Sequence, residues 1–108
     1  MTEIRQVADL EEAIRSHEAL GVLFTRPDSP ASQDLAPRVR RLFRRFPAIP
    51  DYHVDVAKHP TASSEFLVYK VPTIIIYHNG SPAIKHVGGF HLPDLRTELE
   101  HFAARLEG

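Results

Sequence analysis

Ser29 and Ser32 stand three residues apart in the stretch "FTRPDSPASQDLAPRVRRLF", with Pro30 and Ala31 between them. An apolar run precedes the pair and an amphipathic basic segment follows it. Ser29 reads as a helix N-cap, with Pro30 at the first helical position. A side chain there faces unpaired backbone N–H groups and the positive end of the helix dipole, which together favour negative charge. A cysteine at that place would have its thiolate stabilised. The spacing puts positions 29 and 32 on one helical face, where two thiols could close a disulfide. The chain contains no cysteine. That removes disulfides, thiolate catalysis and Cys-ligated zinc together. A serine nucleophile would need a neighbouring base and an oxyanion hole. There is no G-x-S-x-G and no histidine close in sequence, so hydrolase chemistry is disfavoured.

Two other groups invite a chemical reading. Arg38, Arg40, Arg41, Arg44 and Arg45 are the complement of an apolar stripe on one predicted helix, and read as a solvated face. The formal net charge of −1 gives no reason to expect nucleic acid or an anionic membrane as partner. The seven histidines are scattered, with no i, i+4 pair on a helix. His78 and His86 could approach across a hairpin, but two imidazoles on a surface ribbon make at best an adventitious site. No metal and no cofactor is expected.

These residues must be positioned by a single domain over residues 1–108, long enough to bury roughly 60 to 70% of its unfolded surface. Ile4 to Val7 reads as a short first strand. Asp9 with Glu12 forms a capping box for a helix over residues 10–18. Leu20 to Thr25 is a buried central strand. Leu35, Val39, Leu42, Phe43 and Phe46 share one face of a long helix from Ser29, which Pro37 should kink. Tyr52 to Val56 reads as a strand, and a short helix runs from Pro60, at its first position, to Leu67. Val71 to His78 and Ala83 to Val87 pair through an Asn79-Gly80 turn. Leu95, Leu99, Phe102, Ala103 and Leu106 mark a final helix. The predicted order is β-α-β-α-β-α-β-β-α, a mixed α/β sheet of five strands flanked by four helices. The N-terminal twenty residues carry four glutamates and an aspartate, so no signal peptide is read and a cytoplasmic location is expected. The longest apolar run, from Val71 to Tyr77, is too short to span a bilayer.

At this point the pattern meets a known family. "VLFTRPDSPASQDLAP" resembles the thioredoxin active-site segment, in which a strand leads into a C-x-x-C motif and a proline-kinked helix. Ser29 and Ser32 match the two cysteine positions, and Pro30 and Ala31 the dipeptide between them. "YKVPTIIIYHNG" is similar to the segment in which a cis-proline, here Pro72, precedes a strand. "KHVGGF" resembles the strand that ends in glycine, with Gly88 at the matching place, and "HVDVAKHP" the central strand and its exit. The four pieces lie in register along essentially the whole chain.

The resemblance implies a thioredoxin-like fold and a thiol–disulfide oxidoreductase lineage, acting in protein disulfide reduction and redox homeostasis. The departures from it imply silence. A serine hydroxyl is hardly ionised at neutral pH and cannot form a sulfur bridge, so neither half of disulfide exchange is available. The family's buried acid is replaced by Leu23 and its usual aromatic by Asp28. The chain is expected to be inactive as written, either as a Cys-to-Ser variant of a C-P-A-C protein or as a natural non-catalytic member. The alternative is a binding module that takes protein or extended peptide segments in a groove of Asp28, Pro30, Ala31, Val71, Pro72 and Gly88. A parent with cysteines would engage a thioredoxin-reductase-type partner. A monomer, or a weak homodimer packed through the Asp28 to Pro30 surface, is expected.

Overall fold

The computed structural model describes residues Met1–Gly108. In chain order its elements are β1 (Thr2–Glu3), α1 (Val7–Ser16), β2 (Ala19–Thr25), α2 (Pro30–Phe43), β3 (Asp51–Asp55), α3 (Thr61–Phe66), β4 (Thr73–His78), β5 (Ser81–Val87) and α4 (Leu92–Glu107). The strands form one sheet in the order β1-β3-β2-β4-β5. β1, β3 and β2 run parallel, while β4 is antiparallel to both β2 and β5. This is the α/β architecture of five strands and four helices that the alternating pattern predicts.

β2 is buried along its whole length because the sheet is covered on both faces. Its side chains alternate between two cores. Leu20, Val22 and Phe24 join Leu10, Ile14 and Ala62 beneath α1 and α3. Ala19 and Leu23 join Leu35, Val39, Leu99 and Phe102 beneath α2 and α4. β4 divides in the same way, with Ile75 and Tyr77 on one face and Ile74 and Ile76 on the other. Gly21 is required by packing: a Cβ there would lie 2.5 Å from Phe43 Cε1. Asn79 and Gly80 both take positive φ, 50° and 85°, as the tight hairpin turn demands.

Several element ends differ from the sequence reading. Residues 4–7 are not a strand. β1 pairs with β3 only through Thr2 and Glu3, after which Ile4 is buried and its N–H donates to the His53 carbonyl at 3.0 Å. α1 begins at Val7, so Asp9 lies in its first turn rather than at its cap, and Gln6 caps it without a side-chain bond. An acid there still meets the favourable end of the dipole. Pro60 is the N-cap of α3, not its first residue, and the helix stops where Leu67 turns left-handed at φ 57°. β4 starts at Thr73 because Pro72 has no N–H to give the ladder. α2 runs through Pro37 without ending and stops at Phe43, which leaves Phe46 outside it. His78 and His86 do not face each other. His78 lies opposite Ser81 and stacks edge-on against Phe102, whereas His86 lies opposite Ile74 and contacts Glu98 at 2.9 Å.

Candidate functional site

The turn after β2 is built from local hydrogen bonds. Ser29 is extended, at φ −102° and ψ 107°, and its N–H donates to the Arg26 carbonyl at 3.2 Å. Its Oγ accepts the Ser32 N–H at 3.2 Å, which satisfies one of the orphan donors of α2. Gln33 Nε2 donates to the same Arg26 carbonyl at 3.0 Å and locks the turn. Asp28 points outward and pairs with Arg26 at 3.1 Å. Pro30 and Ala31 are exposed, whereas Ser32 is fully buried and its Oγ has no hydrogen-bond partner. Leu23 is also fully buried, in the core beneath α2.

β2 leaves the sheet at Thr25 and β4 enters it at Thr73, and the register pairs Phe24 with Thr73. The Ser29 turn and Pro72 therefore emerge at the same end of adjacent strands. The Val71–Pro72 peptide bond is cis. On the other side of Pro72, the Gly88 N–H donates to its carbonyl at 2.7 Å. Gly88 has φ +77°, a conformation strained for residues with a Cβ, and a Cβ there would meet the Lys70 side chain at 3.4 Å. The six residues Asp28, Pro30, Ala31, Val71, Pro72 and Gly88 thus lie at one end of the sheet. Val71 itself packs on the α1/α3 core, yet its N–H and carbonyl make no hydrogen bond within the chain. Beside it lies a cleft of about 180 Å³ lined by Arg26, Val56, Val68, Tyr69, Lys70 and Val71. Tyr69 is 76% exposed.

One polar arrangement escapes sequence reasoning. Thr25 Oγ1 lies 2.6 Å from His53 Nε2, and His53 Nδ1 contacts Glu3. A hydroxyl, an imidazole and a carboxylate in series is the order of a nucleophile, its base and an orienting acid. Here Thr25 is 3% exposed, so a substrate has no access to its oxygen, and the series works as a satisfied buried network. The two shifted titrations lie away from the Ser29 turn. Glu65 is raised by a hydrogen bond with the Glu11 carboxyl, followed by desolvation and the charge of Glu11. Burial pushes Tyr77 up to about 12. No signal in the sequence brings residues 3, 25 and 53, or 11 and 65, together.

The comparisons with known proteins agree with this geometry. The family model described as Thioredoxin matches residues 2–101. The chain is 21% identical over 108 residues to the thioredoxin-like protein YdfQ of Bacillus subtilis (strain 168), covering all of this chain and 96% of that one. Its fold superposes on a Plasmodium falciparum thioredoxin with a TM-score of 0.87 at 19% identity, covering 94% and 99% of the two chains. It also superposes on a designed protein with a TM-score of 0.83 at 30% identity, covering 94% and 95%. No helix of the chain is long and apolar enough to cross a membrane. The match runs through the Ser29 turn, the sheet and the Gly88 bend alike, and on it the chain belongs to the thioredoxin family, of thiol–disulfide oxidoreductase lineage.

Proposed function

We propose that this chain is a redox-silent member of its family that binds an extended polypeptide segment of a partner protein. With no thiol anywhere in the sequence, it cannot attack or resolve a disulfide. What supports a binding role is the free backbone of Val71. Its N–H and carbonyl are unpaired at a position fixed by packing, beside an exposed Tyr69 and an open cleft. An extended segment can add there as a short strand. Its main-chain bonds would supply affinity and the cleft would select a side chain. Ser29 and Ser32 then hold the wall of the groove as a cap and a buried filler.

The experiment is selection from a displayed library of random linear peptides, followed by titration of enriched sequences against the chain and against Tyr69→Ala. Enriched peptides should lose about tenfold or more in affinity to Tyr69→Ala. They should lose binding altogether when one of their own amides is N-methylated at the position facing Val71. Tyr69 is exposed enough that its removal leaves the fold intact. Peptides that bind both proteins equally, or no enrichment at all, would refute the reading.

A further inference from the structure

The arginines of α2 and of the turn that ends it do not form a uniform solvated face. Arg38, Arg41, Arg44 and Arg45 line one side of a groove of about 710 Å³, and Arg96 of α4 lines the other. Leu42, Leu92 and Pro93 complete the lining, which contains no carboxylate. Arg40 is turned elsewhere, toward Glu3 at 3.9 Å. Five of the chain's 13 lysines and arginines therefore converge on one groove in a protein of formal net charge −1.

This crowding is unfavourable by itself. Arg41 has Arg38 three residues before it on α2, and Arg44 and Arg45 three and four residues after it at the helix C-cap and the turn beyond, a spacing at which like charges repel. Asp34 offsets Arg38 at 3.3 Å and Glu100 offsets Arg96 at 3.4 Å. Arg41, Arg44 and Arg45 have no ion-pair partner in the chain. All five cations are arginine, whose planar guanidinium gives paired N–H donors to one oxoanion. The three unpaired forks lie within a little over one helical turn, so they call for negative charges set close together. Adjacent phosphates meet that need, since each brings at least one negative charge and several acceptor oxygens within a short chain. Side-chain carboxylates of an extended peptide project on one face only every second residue, roughly 6 to 7 Å apart. The groove volume falls in the range of small-ligand sites, about 300 to 1,000 Å³.

We propose that the groove between α2 and the start of α4 is a binding site for a small polyphosphate anion, of the tripolyphosphate or nucleoside triphosphate class. It is separate from the Val71 cleft and does not depend on the peptide-binding reading. Arg41, Arg44 and Arg45 would clasp the phosphate chain, while Arg38 and Arg96 frame it and Leu92 and Pro93 give an apolar surface beside it.

The test is calorimetric titration of the folded chain with sodium tripolyphosphate at low and at moderate salt. Saturable binding near one to one is expected, weakening as salt rises. Arg41→Gln/Arg44→Gln should weaken it about tenfold or more. Arg41→Lys/Arg44→Lys, which keeps the charge and loses the forks, should recover only part of the loss. These side chains are exposed, and relieving their repulsion should leave thermal unfolding of the free protein unchanged or slightly raised. Absence of saturable binding overturns the proposal, as does binding that the Gln pair leaves intact. Full recovery by the Lys pair overturns it too, because charge alone would then explain the affinity. A tetraglutamate peptide or a thymidine decamer binding as tightly as tripolyphosphate would reassign the groove to an acidic segment or to nucleic acid.

Discussion

The Ser32 N–H donates to Ser29 Oγ at 3.2 Å, while the Oγ of Ser32 itself is buried with no partner. One hydroxyl of the pair therefore caps a helix and the other pays a desolvation cost without return. Ser29→Ala should lower stability by about 1 kcal/mol through loss of the cap. Ser32→Ala should raise it by about 1 kcal/mol, because an unsatisfied buried hydroxyl is removed. Urea unfolding of the two variants reads both signs. A large loss for Ser32→Ala would mean that its oxygen has a partner after all.

Sulfur suits the same two positions. Ser29→Cys/Ser32→Cys should form one intramolecular disulfide on mild oxidation, counted by thiol titration, and should reduce insulin in the presence of dithiothreitol. Turnover should be slow. Leu23 occupies the place of the family's buried acid, and a positioned acid–base group contributes on the order of 10²-fold. A folded double variant whose thiols stay free would show that the positions no longer face each other.

Much of this arrangement is legible in the sequence because its signals are local. The apolar run of β2, the stripe of α2 and the Asn79-Gly80 turn each carry their pattern within a dozen residues. β1 is not legible, since two residues carry no periodicity and pair only because β3, some fifty residues on, lies beside them. The start of α1 is misread because a capping-box pattern at Asp9 competes with tertiary anchoring of Ile4, which lets the helix begin earlier. The arginine groove is half legible. The helical pattern places four of its arginines outward, but only the packing of α4 brings Arg96 opposite them.

The series Thr25–His53–Glu3 predicts a stability effect with a built-in control. His53→Leu strands the buried Thr25 hydroxyl and should cost about 1 to 3 kcal/mol. Adding Thr25→Val removes the stranded group, and the double variant should recover most of that loss. Strict additivity of the two single changes in chemical denaturation would show that the contact contributes nothing.

Tyr77 sets an alkaline limit. Its hydroxyl has an ordinary value near 10 and is pushed up to about 12 by burial, so folding favours the protonated form. The stabilising contribution is complete below pH 10 and is lost as the pH climbs from 10 toward 12. Two units correspond to about 3 kcal/mol at most. Tyr77→Phe should flatten this part of the stability curve, measured as the difference between the two proteins between pH 9 and 12. Curves that fall in parallel would assign the loss to other groups.

Gly21 makes a packing prediction. Its missing side chain admits the Phe43 ring, and Gly21→Ala should destabilise by about 1 to 3 kcal/mol as the ring is displaced. Phe43→Leu in the same background should return part of the loss, since a smaller neighbour leaves room for the methyl group. An unchanged midpoint in Gly21→Ala would mean that the ring moves freely.

The irregular register between β4 and β5 has a consequence for how copies of this molecule meet. The bulge opposite Ile76 and Tyr77 falls at the start of the outer strand, where Pro82 withholds one amide and Lys85 carries a charge further along. A second molecule laid along this margin would find a bent, interrupted ladder and like charge, both of which discourage fibre-like stacking. The opposite margin is only two residues long. The sheet is thus guarded at both flanks.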